Sequence, residues 1–578
     1  MNSYFDDDEL LVCEEPLLSP QASKQQYQHL TSTPSQGTSA LETKEDSTDL
    51  IRQILGRPFS ISLEFWKCFV ASALIGITTG VTAILFCGVS ERTYKLWKSC
   101  VVCSTWNGTS QQHMGNMLLL WEEPEVRENF KQGDWCWLLI TILGSTLAGM
   151  LLVWGSGNPS ILGTVRNLFH EAQDLGLDPS PEDLKVAPYA IISCFISLCC
   201  GASVGPEAGL GLITSFICKI VSRYLFAGGD RRSKAALSVT SLSAAMGCLM
   251  PSPFLSVLLT IELSLAARPG AFSLDEAFVK SSGGESARTS PTVTHDFMEQ
   301  VVLMTIAATT SWSVISPFRS TNDSGLQVLD TVGFHHYAAA SLLGLICGVL
   351  GMAFLLLQGI LKQIAQRLSG RILRSSSNAV LLRRLSCVPC LFPLLAGLVY
   401  GIIGVAYPLT LGSGYEILST LISSGLKEES VQALAIITKN GEKLSPSYLF
   451  VTALMKVLAT AVCLGFGLVG GQVVPLILAG VCLGFAMAFY SPTLFAPVAL
   501  SVACGSIGIV GAFLPIPLTL VSTMLMTMNL PNNFGGPLMV CYLVSYTVTN
   551  IIFTGGVIKT MSARKYRSPD ISQINEEF

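Results

Sequence analysis

From Val457 to Ile558 the chain runs 102 residues without an Asp, Glu, Lys, Arg or His. A water-soluble domain cannot cover that much chain without charge, whereas about 20 apolar residues cross the hydrocarbon core of a bilayer. The stretch therefore holds several membrane spans. The remaining composition agrees: 50% of residues are hydrophobic and 13% charged, with mean hydropathy +0.53, against roughly 25% charged residues in soluble domains. With a net charge of -4 and no basic cluster beyond short runs such as Arg383-Arg384, no nucleic-acid partner is expected. The 18 cysteines lie mostly in apolar segments (Cys199, Cys200, Cys248, Cys463), where a thiol packs as a small hydrophobe. No Cys-x-x-Cys pair, Cys100-Val-Val-Cys103 included, has His or Cys partners at zinc spacing, so neither a metal nor another cofactor is expected. The expectation is an all-α polytopic membrane protein.

Residues 1–60 differ in kind. Up to Arg57 there are ten acidic residues against four basic ones, within a Ser-, Thr- and Gln-rich sequence. No early apolar run marks a signal peptide, and the composition is that of a disordered, acidic cytosolic tail. Within it, Asp6-Asp7-Asp8-Glu9-Leu10-Leu11 and Glu14-Glu15-Pro16-Leu17-Leu18 have the form of acidic dileucine sorting signals. An exposed cytosolic arm would present them to a sorting adaptor, which predicts an endosomal or lysosomal membrane with some traffic to the plasma membrane. A chance match in an acidic arm is the plain alternative.

Orientation follows from charge and sugar. Arg231, Arg232 and Lys234 bound one polar loop, Arg367 to Arg384 fill another, and Arg564, Lys565 and Arg567 follow the last span. The positive-inside rule makes these cytosolic, with both termini on the same side. The glycosylation sequons at Asn107 and Asn322 are then lumenal or extracellular. A first span near 66–90 runs outward to Asn107 and one near 136–154 returns. Between them Cys100, Cys103 and Cys136 suit an oxidising loop with one disulfide. Residues 268–294 read as a long cytosolic loop. The membrane domain covers 61–565, in halves of about 61–316 and 331–565, before a short cytosolic tail at 566–578.

Gly and Pro break many of the apolar runs. Irregular backbone at membrane depth is tolerated only where protein buries it or a watery cavity receives it. Broken helices in matching places of two halves point to a transport site. Gly155-Ser156-Gly157 is followed by Gly201 to Pro206, and Gly412-Ser413-Gly414 by Gly470 to Pro475. A Gly-rich turn and a later glycine-to-proline helix entry therefore occur once in each half, which indicates an internal repeat of inverted topology. Pro in a first turn preceded by Gly describes a helix N-terminus. Its free N–H groups and dipole favour an anion. Several such ends meeting near the midplane would hold a monovalent anion without a formal positive charge, weakly enough to release it. Tight packing through small residues is the bland reading of each glycine motif alone.

Taken together, these residues resemble the CLC family of chloride channels and chloride/proton exchangers. Gly155-Ser-Gly-Asn-Pro159 resembles the family's G-S-G-I-P turn, and Gly205-Pro206 falls where the family has G-R/K-E-G-P. Pro253 to Glu262 resembles A-P-L-A-G-x-L-F-x-x-E, Leu411 to Glu416 the start of the second half, and Gly470 to Pro475 the motif G-G-x-F-x-P. Phe553-Thr-Gly-Gly556 is placed before a final pore-lining helix. The resemblance covers residues 60 to 565. It implies a homodimer of CLC-like inverted repeats with broken, re-entrant helices, each subunit carrying its own chloride path. Ser156, with backbone near Gly157, Gln472 and Val473, would form the central chloride site, beside Val204 and Gly205.

The departures shape the functional expectation. The family's gating glutamate falls on Val204 and its basic neighbour on Ser203; the phenylalanine of G-G-x-F-x-P is Val473. The second, proton-handling glutamate of exchangers falls on Leu263. The pore tyrosine of the last helix aligns with Thr560, with Tyr546 as the outside choice. The cytosolic CBS pair of eukaryotic relatives is expected to be absent. Passive chloride conduction without proton coupling, open to voltage gating, is therefore expected. The alternative is an exchanger with a relocated carboxylate. Glu207, in the first turn of its helix, either complements the dipole or acts as a displaced gate. Glu262 reads as a structural anchor ahead of a proton site, and Lys456 as a side chain snorkelling to an interface.

Two other classes stand behind this one. Gly201-Ala202-Ser203-Val204-Gly205 matches the G-x-S-x-G nucleophile elbow of a membrane serine hydrolase. Such an elbow needs a base, and only His335 and His336 adjoin a span on the lumenal side. A carrier of larger solutes would be expected to carry paired intramembrane charges.

Overall fold

A computed structural model describes residues 63–103, 124–156, 181–226, 231–267, 292–318, 332–375, 387–415, 417–418, 421, 445–495 and 497–552. Among these residues lie fourteen α-helices. The first seven are α1 (Leu63–Cys103), α2 (Pro124–Ser156), α3 (Pro181–Cys199), α4 (Glu207–Leu225), α5 (Arg231–Gly247), α6 (Pro253–Ala267) and α7 (Thr292–Ile315). The second seven are α8 (Phe334–Ser375), α9 (Cys387–Ala406), α10 (Pro446–Gly465), α11 (Val473–Tyr490), α12 (Val498–Gly511), α13 (Pro517–Thr527) and α14 (Gly535–Ile552). Six of the fourteen supply segments long and apolar enough to cross a membrane: Phe65–Tyr94, Glu207–Leu225, Met298–Phe318 (α7 continued by the 3-10 turn Ser316–Phe318), Phe334–Ala365, Pro446–Gly465 and Val473–Tyr490. The protein is a multi-pass membrane protein. The span expected at 136–154 is the apolar part of α2, the shorter segment Trp137–Leu152.

The second seven helices repeat the first seven. α1 packs on α7 where Gly76 and Gly80 meet the backbone of Ala307 and Ser311; α8 packs on α14 where Gly344 and Gly348 meet that of Cys541 and Ser545. In each case glycines spaced by four let two backbones approach, the usual way helices associate in lipid. The ends of α3 and α10 match equally closely. Gly201 (φ +73°) and Gly467 (φ +93°) adopt the left-handed conformation that stops a helix. Gly201 donates to Leu198 and Ala202 to Ser197, at 3.1 and 3.0 Å; Gly467 donates to Leu464 and Leu468 to Cys463, at 3.2 and 3.0 Å.

This register carries Gly201 onto Gly467 and Gly205 onto Gly471. It differs by three residues from the sequence-based pairing of Gly201 with Gly470. The cause is physical: the positive-φ glycine fixes where the helix stops, whereas proline tolerates either the cap or the first turn. Thus Pro206 is the N-cap of α4, while Pro475 lies in the first turn of α11. The equivalent residues Gly205 and Gly471 form an isolated antiparallel bridge. Two equivalent residues joined reciprocally have a local twofold axis between them, and the second half is inverted about it.

Candidate functional site

The bridge brings two helix N-termini together. Gly205 and Gly471 each donate an N–H to the other's carbonyl at 2.7 Å, and α4 and α11 begin immediately after. Neither helix has a side-chain cap at its own N-cap residue, Pro206 or Gln472. Such ends carry the positive pole of the dipole. One of them is occupied from across the axis: Oε1 of Glu207 accepts the N–H of Val474 at 2.7 Å. Oε2 is buried without a hydrogen-bond partner. A Cβ on either Gly205 or Gly471 would collide with this carboxylate, so glycine is the residue that fits at both positions.

Val204 is fully buried beside the bridge and packs on Gly470, which has no room for a side chain. Gln472 and Val473 are half-buried at the start of α11. Val204, Gly205, Glu207, Gln472 and Val473 therefore share one site. Ser156 closes α2, while Gly157, Thr560, Asn107, Asn322 and the dileucines Leu10, Leu11, Leu17 and Leu18 lie outside the described residues. So do the side chains of Cys100, Cys103 and Cys136, and loop residues 268–291. Tyr546 on α14 stacks on Tyr542 with ring centroids 6.0 Å apart, and the Tyr542 hydroxyl donates to Leu514 O at 2.7 Å.

Glu262 occupies a second helix N-terminus. Its Oε1 and Oε2 accept the N–H groups of Leu518 and Thr519, each at 2.9 Å, at the start of α13. Because α6 and α13 are repeat partners, as α4 and α11 are, both first-half carboxylates cap the partner helix of their own. Leu263 beside it packs against the main core.

Ser203 donates to the Thr460 hydroxyl at 3.0 Å, and Thr460 in turn donates to Lys456 O at 2.8 Å. Its partner is thus a hydroxyl rather than an imidazole. The rings of His335 and His336 lie against each other at 3.8 Å, and His336 Nδ1 accepts Gly333 N–H.

Lys456 departs from the sequence expectation. It does not snorkel: it is 1% exposed, and Nζ donates to Thr410 O at 2.9 Å and Gly412 O at 2.7 Å. Its depth was visible in the sequence, since ten residues from Pro446 put it about 15 Å along α10, beyond the reach of a lysine side chain to either interface.

Inverted halves, broken helices and two helix N-termini that meet at the axis without caps of their own are the arrangement of an ion-transport membrane protein. A family model described as voltage gated chloride channel matches residues 153–550, more than half of the chain. The chain belongs to this family. Among solved structures it is similar to a slow cyanobacterial Cl-/H+ antiporter, with TM-score 0.58 and 16% identity, covering 87% of this chain and 99% of that one. It is also similar to a CLC-type fluoride/proton antiporter, with TM-score 0.54 and 15% identity, covering 83% and 95%. At these identities the likeness concerns the fold. No curated protein sequence matches the chain.

Proposed function

We propose that the chain conducts chloride passively through one path in each subunit of a homodimer, that the path passes the Gly205–Gly471 axis, and that Glu207 gates it. The observation that carries this reading is the Glu207 carboxylate on the Val474 N–H. A carboxylate is itself an anion resting at the kind of helix end that would bind a transported one. Chloride reaches that end only when the carboxylate leaves or takes up a proton. Val204 cannot bind a proton, so the gating role passes to the carboxylate three residues on. Ser156, Gly157, Gln472 and Val473 hold the central ion, Val204 and Gly205 line its outer side, and Thr560 lies on the last pore segment.

Conduction is uncoupled in this reading because, among the described residues, no free carboxylate stands at the position of the exchangers' second glutamate. Leu263 takes the position of the exchangers' second glutamate, and both oxygens of Glu262 are engaged by α13. The second reading is chloride/proton exchange through the relocated Glu207, favoured by the same hydrogen bond; both similar structures are of proton antiporters. Purified protein in liposomes, with chloride efflux and internal pH recorded together, separates the two. Under a chloride gradient, uphill proton movement that disappears in Glu207→Gln establishes exchange, and its absence in the wild type supports passive conduction.

The N-terminal dileucines support residence in endosomal or lysosomal membranes with some traffic to the plasma membrane, and the basic clusters support cytosolic termini. Changing Leu10, Leu11, Leu17 and Leu18 to Ala should then move it to the cell surface; an unchanged distribution would leave them chance matches. Ser203→Ala abolishing a hydrolytic activity while anion flux persists would instead support the nucleophile-elbow reading.

A further inference from the structure

We propose that Lys456 is a positioning residue for the anion site, holding the glycine turns of both halves in register at the twofold axis. The inference rests on the reading that this axis is the chloride path.

The chain reverses at Gly412 (φ +70°) and Gly414 (φ +85°), inside the membrane domain. Such a reversal leaves carbonyls without helix partners where water cannot satisfy them. The Lys456 ammonium takes two of them, Thr410 O and Gly412 O. The same Gly412 donates its N–H to Gly201 O at 2.9 Å, which links the second-half turn to the left-handed glycine that ends α3. One turn further along α10, Thr460 receives the Ser203 hydroxyl. α10 thus grips the first-half segment 201–205 twice, through Lys456 by way of Gly412 and through Thr460 directly. Segment 201–205 ends in the bridge to Gly471, and Glu207 follows it onto the Val474 N–H.

Both partners of Lys456 are carbonyls, not carboxylates. A buried ammonium without a counter-ion is expensive in a membrane, and an apolar residue would pack α10 at lower cost. The two carbonyls it holds are what the cationic side chain adds. Once the clamp is released, the turn and the α11 N-terminus no longer face each other at fixed distance, and chloride binding weakens before the fold does.

The test uses the full chain in liposomes, reading half-saturating chloride, maximal flux and the folded fraction by size exclusion. Lys456→Met should raise half-saturating chloride about tenfold, the loss expected for charge-assisted hydrogen bonds. Lys456→Arg, which restores donors to the carbonyls, should recover most of it. Thr460→Val, which cuts the grip on Ser203 and keeps the ammonium, should raise it by a smaller factor. It also serves if Lys456→Met does not fold. A purely structural role would lower folded fraction and maximal flux together and leave half-saturation unchanged, and that result would overturn the proposal. The underlying reading fails separately: it falls if Glu207→Gln and Gly471→Ala leave chloride kinetics unaltered.

Discussion

Gly205 and Gly471 exchange two backbone hydrogen bonds of 2.7 Å, and the Glu207 carboxylate fills the space that a side chain on either would need. Three features of the site thus depend on one another: the bridge sets the axis, the missing side chains admit the carboxylate, and the carboxylate caps α11. Substituting Gly471→Ala puts a methyl group against that carboxylate. Overpacking of this kind costs about 1–3 kcal/mol, so the melting midpoint in detergent should fall. The carboxylate should also be pushed off Val474, flattening the pH dependence of flux. An unchanged midpoint together with an unchanged pH profile would mean that the Glu207 carboxylate does not fill this space.

Glu207→Gln removes the negative charge and nearly preserves the shape. In the proposed gating the ionised carboxylate competes with chloride for the α11 N-terminus, and protonation abolishes that competition. Chloride efflux should therefore rise as pH falls. The Gln variant should be constantly high and nearly independent of pH. A variant that retains the wild-type pH profile would remove Glu207 from the gate.

Glu262 gives the contrasting case. It caps α13 as Glu207 caps α11, yet in this reading it anchors rather than gates. Losing a side-chain cap costs about 0.5–2 kcal/mol, so Glu262→Ala should lower the melting midpoint and leave the pH profile of flux unaltered. A shifted pH profile with normal stability would assign Glu262 to proton handling.

The sequence made the membrane class and the paired halves legible because both rest on composition and on glycine placement, which one chain displays directly. The register of the repeat was harder. Pro206 and Pro475 look equivalent in a string but stand at different helix positions, and only the φ angles of Gly201 and Gly467 identify the equivalent residues. A clearer signal lay in Gly76 and Gly80 matched by Gly344 and Gly348, spaced alike at the same place in each half. The partners of Glu207 and Lys456 were out of reach, since Val474 N–H and Gly412 O are backbone groups brought close only by the fold. A carboxylate in a first turn reads as complementing its own helix until the opposing helix is known.

Ser156 and Ser413 occupy matching Gly-Ser-Gly motifs, and only one of them is assigned to the ion path. Ser156 ends α2, and in the proposed path its hydroxyl and the following N–H would both donate to the central ion. Proline removes the hydroxyl donor, and relatives that prefer nitrate resemble this turn with Pro at the serine position. Chloride carries its charge on one atom whereas nitrate spreads it over three oxygens, so loss of a single hydroxyl donor should cost chloride more. Ser156→Pro should therefore raise the nitrate-to-chloride flux ratio in liposomes. The Ser413 hydroxyl is the acceptor for Tyr415 N–H at 3.4 Å and belongs to the turn that Lys456 clamps. Ser413→Ala should leave the ratio at its wild-type value. If the ratio follows Ser413 rather than Ser156, the ion path runs through the second half's turn and the assignment of the two halves is reversed.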